Sequence, residues 1–291
     1  MPMPRDIGVI DLMLSIPDAD TSRWYKFLQP QLKDRESRGM KMPAGYMFKD
    51  IPEAGTQEDY IAYTLAQMDA VGIERAMIGV TEEGGIARLA LEQHPDRFFA
   101  SYEVDPNKGM DEVRRLERLH RELGLKAATA FPAGCFPQVP INDKAFYPIY
   151  AKCVELDIPI CVCAGVPGPR TGLACQKVEL IDEVCWFFPE LRFVMRHGAE
   201  PWTELAVKLM LKWPNLYYMT SAFAPKYYPK DVVQYANTRG TDKILYAGYF
   251  PMGLSLERIF HELPDVPFRD HVWPKFLREN AIRVFALDDS A

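Results

Sequence analysis

The sequence has no apolar run of membrane-spanning length, and its first residues, M-P-M-P-R-D-I-G, lack the long apolar core of a signal peptide. It also has no excess of basic residues, because 34 lysines and arginines stand against 40 acidic residues and give a formal net charge of -6. A nucleic-acid-binding protein usually carries a basic face. We therefore expect no nucleic-acid partner and no membrane association.

The cysteines form no C-x-x-C pair and no framework of the kind that small disulfide-linked proteins carry. Their neighbours are mostly apolar, as in the stretch C-V-C that ends at Cys163. This usage is typical of reduced thiols, so we expect a cytoplasmic protein.

Nucleotide-binding signatures are missing as well, since no G-x-G-x-x-G follows the first apolar run and no P-loop or internal repeat is present. The sequence does contain eight short apolar runs that lack polar alternation, as strands buried on both faces do. Eight strand–helix units in 291 residues predict a single α/β domain over residues 1–291, a (β/α)8 TIM barrel rather than a doubly wound sheet. The runs are 8–14, 75–80, 98–104, 125–131, 158–164, 191–197, 215–221 and 243–249.

Amphipathic stretches between the runs carry recognisable helix ends. The stretch from Tyr60 ends in Gly72, the stretch from Met110 ends in Gly124, and a third stops ahead of Pro214. Glycine is a usual helix stop, and the residue before a proline is restricted away from the helical region. These stretches therefore predict helices that end at these positions.

A long segment after the first run, residues 16–57, contains no clear buried strand but has four prolines and five aromatic residues. Connections of this length are usually lids, binding loops or interface arms. Two interpretations stay open: the 16–57 segment covers the mouth of the barrel, or it is an arm that contacts a second copy of the chain in a homodimer.

The C-terminal ends of the strands and the loops after them build the active site of a TIM barrel. At the end of the first run, the strand period of two places Asp11, Met13 and Ser15 on one face. Other side chains at strand ends are Glu82, Glu83, Glu103, Thr129, Cys163, His197, Ser221 and Tyr249.

Motifs at several strand ends match a known family. The first strand reads I-D-L-M-L-S from Ile10 to Ser15, where the family has I-D-x-H-x-H. Later matches are H-P-D-R-F-F-A-S-Y-E-V-D-P, L-R-F-V-M-R-H-G and K-I-L-Y-A-G-Y-F-P. With these motifs the sequence resembles, nearly end to end, the amidohydrolase-2 family, which holds aminocarboxymuconate-semialdehyde and resorcylate decarboxylases, lactonases and hydratases. The resemblance implies the TIM-barrel fold.

The same resemblance implies that a metal site of the family has lost most of its ligands. The family's first-strand histidines fall on Met13 and Ser15, its fifth-strand histidine on Cys163 and its eighth-strand aspartate on Tyr249, so that only the sixth-strand His197 remains. A zinc site uses at least three nitrogen, sulfur or oxygen ligands from side chains. We therefore expect no bound metal and no other cofactor.

Three residues are candidate catalytic groups. His197 is a candidate general acid, base or oxyanion donor because its ordinary pKa lies near neutrality, and this is favoured over the alternative of a relic whose hydrogen bonds are satisfied. The phenol of Tyr249 would donate to a substrate carbonyl or carboxylate, or fill the vacated volume. Asp11 is a base or an orienting acceptor, and the favoured alternative is a structural carboxylate that bonds backbone donors or an arginine.

Five residues are candidate substrate contacts. Arg170 would grip a substrate carboxylate bidentately, and Glu103 would act as an acid or base with a pKa raised by an apolar cavity. Cys163 would be a nucleophile only if a neighbour lowered its thiol pKa, and a small buried hydrophobe is the favoured alternative. Ser221 and Met13 would line the pocket, Met13 being equally a core residue.

Two further expectations concern the residues around His197. Strand alternation predicts that Arg196 points away from the barrel axis. An alternative to the metal-free interpretation keeps a metal ion through Cys163, His197 and a carboxylate, either Asp11 or Glu103.

Together these residues point to an enzyme that acts, without a tightly held metal, on a small carboxylated, carbonyl-bearing or aromatic compound. Hydrolysis of a lactone or amide-like bond is the first expectation and decarboxylation the second. The alternative is an inactive barrel that binds a metabolite or a partner. An enzyme should show His197 hydrogen-bonded to a carboxylate and facing an open, polar cavity, whereas an inactive barrel should fill that cavity with Met13, Tyr249 and the 16–57 segment.

Overall fold

The computed structural model describes residues 3–288, and its centre is one sheet of eight parallel strands, each paired with the next strand along the chain. All eight predicted runs overlap one strand each. The architecture is the (β/α)8 TIM barrel that the sequence predicts. The strands are β1 (Val9–Leu14), β2 (Ile73–Val80), β3 (Phe98–Glu103), β4 (Ala127–Ala130), β5 (Ile160–Cys163), β6 (Phe193–Arg196), β7 (Leu216–Met219) and β8 (Ile244–Leu245).

Helices connect the strands and end close to the predicted positions. Gly124 follows one of them in the left-handed conformation, with φ 61°, which glycine adopts without steric cost. Within residues 3–288, none of the helices has the length and apolar character that crossing a membrane requires. The helices are α1 (Arg35–Gly39), α2 (Tyr60–Asp69), α3 (Ile86–Gln93), α4 (Met110–Leu123), α5 (Tyr147–Glu155), α6 (Leu180–Phe187), α7 (Thr203–Lys212), α8 (Lys230–Ala236), α9 (Leu256–Glu262) and α10 (Asn280–Phe285).

An apolar layer to which every strand contributes fills the lower part of the barrel. Phe99, Cys161 and Val194 are among its buried members, and Val284 and Phe285 of α10 pack against it from the N-terminal end. The interior of a TIM barrel is a packed core, not a pore. Free space inside the barrel is therefore confined to the C-terminal end of the strands.

The side chain of Asp11 links the first strand of the sheet to the segment after the last strand. β8 spans only Ile244–Leu245. Just beyond it, the backbone N–H of Gly248 donates to Asp11 Oδ1 at 2.8 Å, and the same oxygen accepts from the N–H of Met13 at 2.9 Å. The carboxyl of Asp11 thus joins the two edges of the barrel. We call Asp11, Tyr246 and Gly248 the β1–β8 seam.

One expectation about strand faces is wrong for β1. Ile10 and Leu12 belong to the apolar layer inside the barrel, so Asp11 between them faces outward. The pairing of β1 with β2 shifts register between Asp11 and Leu14, which breaks the simple alternation. Asp11, Met13 and Ser15 therefore do not share one face.

The 16–57 segment lies across the C-terminal end of the barrel. It forms two short 3₁₀ helices, Thr21–Leu28 and Gly45–Met47, around α1. Its side chains hold it to the loops that follow the strands: Gln31 Nε2 donates to the carbonyl of Gly134 at 2.9 Å, and the Tyr46 hydroxyl donates to the carbonyl of Gly168 at 2.7 Å.

Candidate active site

A cavity of about 1330 Å³ opens at the C-terminal ends of the strands, beneath the 16–57 segment. Of the eight predicted site residues, five line it: Met13, Glu103, Cys163, His197 and Tyr249. The space is open, whereas the sequence analysis expected an inactive barrel to fill it. We call Glu103, Cys163, Arg196 and His197 the cavity floor.

His197 follows β6 directly, in the left-handed region with φ 66°. Its backbone N–H donates to Ser221 Oγ at 3.1 Å, and its ring Nδ1 lies 3.1 Å from the same oxygen. The edge of one ring meets the face of the other between His197 and Tyr249, with centroids 5.4 Å apart. Burial, and then the positive charge of Arg196, lower the pKa of His197 to about 3. The imidazole is therefore neutral at physiological pH.

The partner that orients His197 is thus a hydroxyl group and not the carboxylate that the sequence analysis expected of an enzyme. Ser221 itself is fully buried and is not among the described residues that line the cavity. It acts on the cavity through the ring that it holds, so its place differs from that of the substrate contact predicted from the sequence.

The orientation predicted for Arg196 is also wrong. Its side chain is buried and lines the cavity, with Nε 3.0 Å from Cys163 Sγ and Nη2 2.8 Å from Glu103 Oε2. Alternation from Val194, which lies in the apolar layer inside the barrel, places Arg196 inside as well. The prediction was wrong because it took His197 as the inward residue of the strand, whereas His197 follows β6 in the left-handed region, so both side chains reach the same cavity. The third nitrogen of the Arg196 guanidinium group, Nη1, donates to none of the residues that the structure describes.

The charges on the cavity floor follow from these contacts. Burial opposes the positive charge of Arg196, but Cys163 and Glu103 outweigh it and the pKa of Arg196 is raised. Burial raises the pKa of the Cys163 thiol to about 11, against the lowering effect of Arg196. Cys163 is therefore a protonated thiol, which argues against a nucleophile. The floor holds one fixed cation, one carboxylate, one thiol and one neutral imidazole.

Tyr249 lies where the floor meets the 16–57 segment. Phe48 stacks on its ring with centroids 5.5 Å apart and an interplanar angle of 28°. Burial raises the pKa of the Tyr249 phenol far above its ordinary value, so the hydroxyl stays protonated. The ring both lines the cavity and supports the segment above it.

Asp11 and Arg170 are not among the described residues that line the cavity. Asp11 is fully buried at the β1–β8 seam, where its Oδ2 and the Tyr246 hydroxyl have no hydrogen-bond partner in the described chain. Burial raises its pKa to about 7, although the N–H groups of Gly248 and Met13 lower it. These backbone contacts match the structural alternative considered for Asp11.

Arg170 lies outside the cavity for a different reason. Its Nη1 donates to Asp34 Oδ1 at 3.1 Å and to Glu36 Oε2 at 2.8 Å, and its guanidinium lies over the ring of Tyr46 at 4.8 Å. These partners belong to the 16–57 segment. The arginine therefore fastens that segment to the loop after β5 instead of pointing at a ligand.

The residues at the family's metal positions do not fit a metal ion. In the described part of the chain, no group of three or more histidine, cysteine, aspartate or glutamate side chains is arranged to hold one. The sulfur of Cys163 accepts an N–H of Arg196 and keeps its proton, and the cation of Arg196 stands beside His197. The alternative site through Asp11 also fails, because Asp11 faces outward from the barrel.

Comparisons with known proteins agree with this architecture. The chain is similar to an uncharacterised TIM-barrel protein from Bordetella bronchiseptica, with 21% identity over 96% of this chain and 98% of that one and a TM-score of 0.72. It is also similar to 5-carboxyvanillate decarboxylase from Novosphingobium aromaticivorans, solved with manganese and 4-hydroxy-3-methoxy-5-nitrobenzoic acid. The identity is 17%, the coverage 97% of each chain and the TM-score 0.69. At these identities the likeness shows the fold.

A curated relative gives a shorter match. The chain is 31% identical over 123 residues to 2-keto-4-carboxy-3-hexenedioate hydratase from Sphingobium sp.. The alignment spans 36% of this chain and 36% of that relative, so only about a third of the relative's length is matched. The amidohydrolase family model, by contrast, matches residues 18–287. The motifs at the strand ends, the barrel that carries them and this match along the chain agree, and the chain belongs to the amidohydrolase-2 family.

Proposed function

We propose that the chain is a lyase that removes a carboxyl group from a small carboxylated compound in the cavity, and that it works without a bound metal. The observation that carries the proposal is that the guanidinium group of Arg196 is held in place with one nitrogen unengaged. Two of its nitrogens are held by Cys163, Glu103 and the carbonyl of Ala130, which fixes the plane of the guanidinium. The third nitrogen, Nη1, is left for a ligand.

Such an arrangement suits the stabilisation of negative charge on a substrate oxygen. A guanidinium fixed in advance needs no reorganisation when charge develops, and its effect is greatest in a cavity that excludes water. In decarboxylation the bond to the carboxyl carbon breaks, carbon dioxide leaves, and the electron pair spreads from the remaining carbon to a conjugated oxygen. Nη1 of Arg196 would bind the substrate at its acidic end, where the conjugated oxygen lies beside the carboxylate, and would hydrogen-bond that oxygen as its charge develops.

His197 would handle the proton that replaces the carboxyl group. In the free protein its pKa is lowered to about 3, first by burial and second by the charge of Arg196. An anionic substrate beside Arg196 offsets the second cause but leaves the larger one, burial, in place, so the imidazole would take up a proton from solvent only where the substrate's own negative charge stabilises the protonated ring. His197 then delivers that proton to the carbon that has lost carbon dioxide, and the ring returns to its neutral state.

Decarboxylation is placed ahead of the hydrolysis that the sequence analysis ranked first. The floor offers no thiolate, because Cys163 keeps its proton, and no close set of ligands for a metal-bound water. A fixed cation beside a neutral imidazole supports a reaction in which an anion forms on the substrate. The names of the decarboxylase and hydratase relatives point to the same class of chemistry.

A second candidate is a barrel that binds a carboxylated metabolite without turning it over. The orienting partner of His197 favours it, because Ser221 provides a hydroxyl group where an acid–base histidine usually has a carboxylate. The two candidates share the ligand class and differ only in turnover.

The test is release of carbon dioxide from a panel of aromatic and conjugated carboxylic acids, with lactones as the hydrolysis arm. We expect turnover of at least one acid and a loss of about 100-fold or more in Arg196→Gln, because that change removes the stabilising cation. Arg170→Gln is the matched control and should stay within about twofold, since Arg170 is held outside the cavity. Binding of acids without any turnover would favour the binding barrel.

Metal independence has its own test. Protein purified without added metal is analysed for its elements and assayed for turnover after treatment with a chelator. We expect substoichiometric zinc and manganese and unchanged turnover. One equivalent of either metal in the active protein would contradict this part of the proposal.

A further inference from the structure

The cavity has two ends of different chemistry. The floor holds charged and polar groups, whereas large apolar side chains that line the opposite end remain partly exposed: Phe27 at 47%, Met47 at 58%, Val166 at 52% and Tyr227 at 62%. We call these four residues the cavity mouth. A cluster of exposed apolar side chains around an opening usually marks a binding surface, because isolated exposure is the ordinary pattern elsewhere.

The volume of the cavity exceeds what a single small ring needs. Pockets that enclose drug-sized ligands measure roughly 300–1,000 Å³, and this cavity measures about 1330 Å³. An acid with one ring placed at Arg196 would leave the mouth empty. The unused space lies in the direction of the apolar side chains.

Aromatic rings line two walls of the cavity. On one wall His197 meets Tyr249, and Tyr249 stacks with Phe48. On another wall the edge of one ring meets the face of the other between Phe27 and Phe131, with centroids 6.3 Å apart. The first set of rings begins on the floor and ends at Phe48 of the 16–57 segment, and the second includes Phe27 of the mouth, so both walls offer apolar contact to a ligand.

Some of the charged groups in the outer part of the cavity are engaged with one another. Arg23 pairs with Asp18 at 2.7 Å, and Lys226 lies 3.6 Å from Glu262 and 5.1 Å from the centre of the Tyr227 ring. These pairs balance in charge, whereas Lys49, Glu83 and Glu200 line the cavity without an ion pair to a described residue. Among the described residues that line the cavity, Arg196 on the floor is the cation that is buried and also has an unengaged donor.

We infer that the ligand of this cavity is an elongated amphipathic acid, with its carboxylate at Arg196 and an apolar body of about two rings in length that reaches Phe27 and Met47. The inference rests on the proposed function for the location of the carboxylate. It adds that affinity for the ligand comes mainly from the mouth and the walls, while the floor supplies orientation and charge stabilisation.

The test compares the binding of three probes to the full chain by calorimetry: benzoate, biphenyl-4-carboxylate and biphenyl-4-carboxamide. We expect biphenyl-4-carboxylate to bind about tenfold or more tightly than benzoate, because six further carbon atoms are removed from water. The carboxamide should bind about tenfold more weakly than biphenyl-4-carboxylate, because it loses the charge-assisted contact with Arg196.

A polar substitution of similar length locates the apolar end. Met47→Gln should weaken biphenyl-4-carboxylate several-fold and leave benzoate unchanged. Met110→Gln is the matched control, since Met110 is 52% exposed at the start of α4 and is not among the described residues that line the cavity; it should alter neither affinity. Equal affinity for benzoate and biphenyl-4-carboxylate, or no binding of the latter at millimolar concentration, would overturn the inference.

The two proposals fail separately. If biphenyl-4-carboxylate binds as expected while no acid is turned over, the inference about the ligand stands and the lyase reaction does not. If single-ring acids are turned over and a second ring brings no gain in affinity, the lyase reaction stands and the inference falls.

Discussion

Two buried ionisable groups, one at the β1–β8 seam and one on the cavity floor, are treated in opposite ways by the same barrel. Asp11 at the seam is fully buried without a counter-charge, and burial raises its pKa to about 7. Arg196 on the floor is also buried, but Glu103 and Cys163 raise its pKa and keep it charged. The seam carboxyl bonds backbone N–H groups, and the floor guanidinium leaves one nitrogen open to the cavity.

The difference shows that burial and a perturbed pKa do not by themselves mark a catalytic group. What separates the two is the face of the strand: Asp11 points outward from the barrel, and Arg196 points into the cavity. Asp11 and His197, the neighbour of Arg196, also depart from their ordinary pKa values in opposite directions. The folded state is stabilised when Asp11 keeps its proton and when His197 has lost its proton, because the folded pKa of Asp11 lies above its ordinary value and that of His197 lies below.

The largest effect should come from the floor. His197→Asn removes the proton-transfer group, and asparagine tolerates the left-handed conformation that His197 adopts. We expect turnover of whichever acid the chain decarboxylates to fall about 100-fold or more, while the melting temperature at pH 8 changes little. Turnover equal to that of the parent would remove His197 from the mechanism and leave the floor no more catalytic than the seam.

The next effect should appear at the seam, as a change in stability with pH. Between about pH 4 and 7 the unfolded chain ionises Asp11 while the folded chain keeps it protonated, so ionisation lowers stability as pH rises through this window. Asp11→Asn removes this titration and keeps the two backbone contacts. We expect a gain in the free energy of unfolding above pH 7 of up to about 4 kcal/mol, and no gain below pH 4.

Denaturant unfolding at several pH values measures this gain. The titration of His197 has the opposite effect on stability to that of Asp11, because its folded pKa of about 3 makes the free energy of unfolding rise with pH between about 3 and 6.5. The His197→Asn variant should therefore show the downward slope due to Asp11 more plainly than the parent. Unchanged slopes in both variants would contradict the assignment of these two titrations, and turnover in Asp11→Asn should remain near the parent value.

The smallest effect should come from steric crowding at Gly248 of the seam. A Cβ at Gly248 would lie 2.6 Å from Asp11 Oδ2, closer than side chains pack, whereas a Cβ at Gly79, which lines the cavity, would meet nothing within 4 Å. Gly248→Ala should lower the free energy of unfolding by about 1–3 kcal/mol. Gly79→Ala is the matched control on the cavity side and should be near neutral or slightly stabilising. Equal costs at both positions would show that the seam is no tighter than the cavity wall.

The fold was predictable because its determinants are local. Each buried strand is a short run such as 158–164, and each helix ends at a residue such as Gly124 whose backbone preference is independent of the rest of the chain. The family motifs at the strand ends added the order of the strands. The same information placed Glu103, Cys163 and His197 at the cavity.

The orientations of site residues were mispredicted where a strand changes register or ends. Asp11 was assigned to the wrong face because β1 changes register. Arg196 was assigned to the wrong face because its direction was inferred from His197, which lies beyond the end of β6 and does not continue its alternation. Neither event has a pattern in the sequence, since both depend on how neighbouring strands pair. The partners of Arg170 lie more than a hundred residues away along the chain, so only the folded structure shows that it holds the 16–57 segment.

The short last strand has a consequence for how the molecule comes apart. With Ile244–Leu245 as the whole of β8, the cylinder is fastened along one line by a few backbone bonds and one carboxyl group. Backbone amides along that line should exchange their hydrogens with solvent faster than those of the other strand pairs. Thermal fluctuations should open the cylinder there before the other strand pairs separate. The ligand chamber is bounded partly by Tyr249, which directly follows Gly248 of the seam. The shape of the chamber therefore depends on bonds made by seam residues that do not line it.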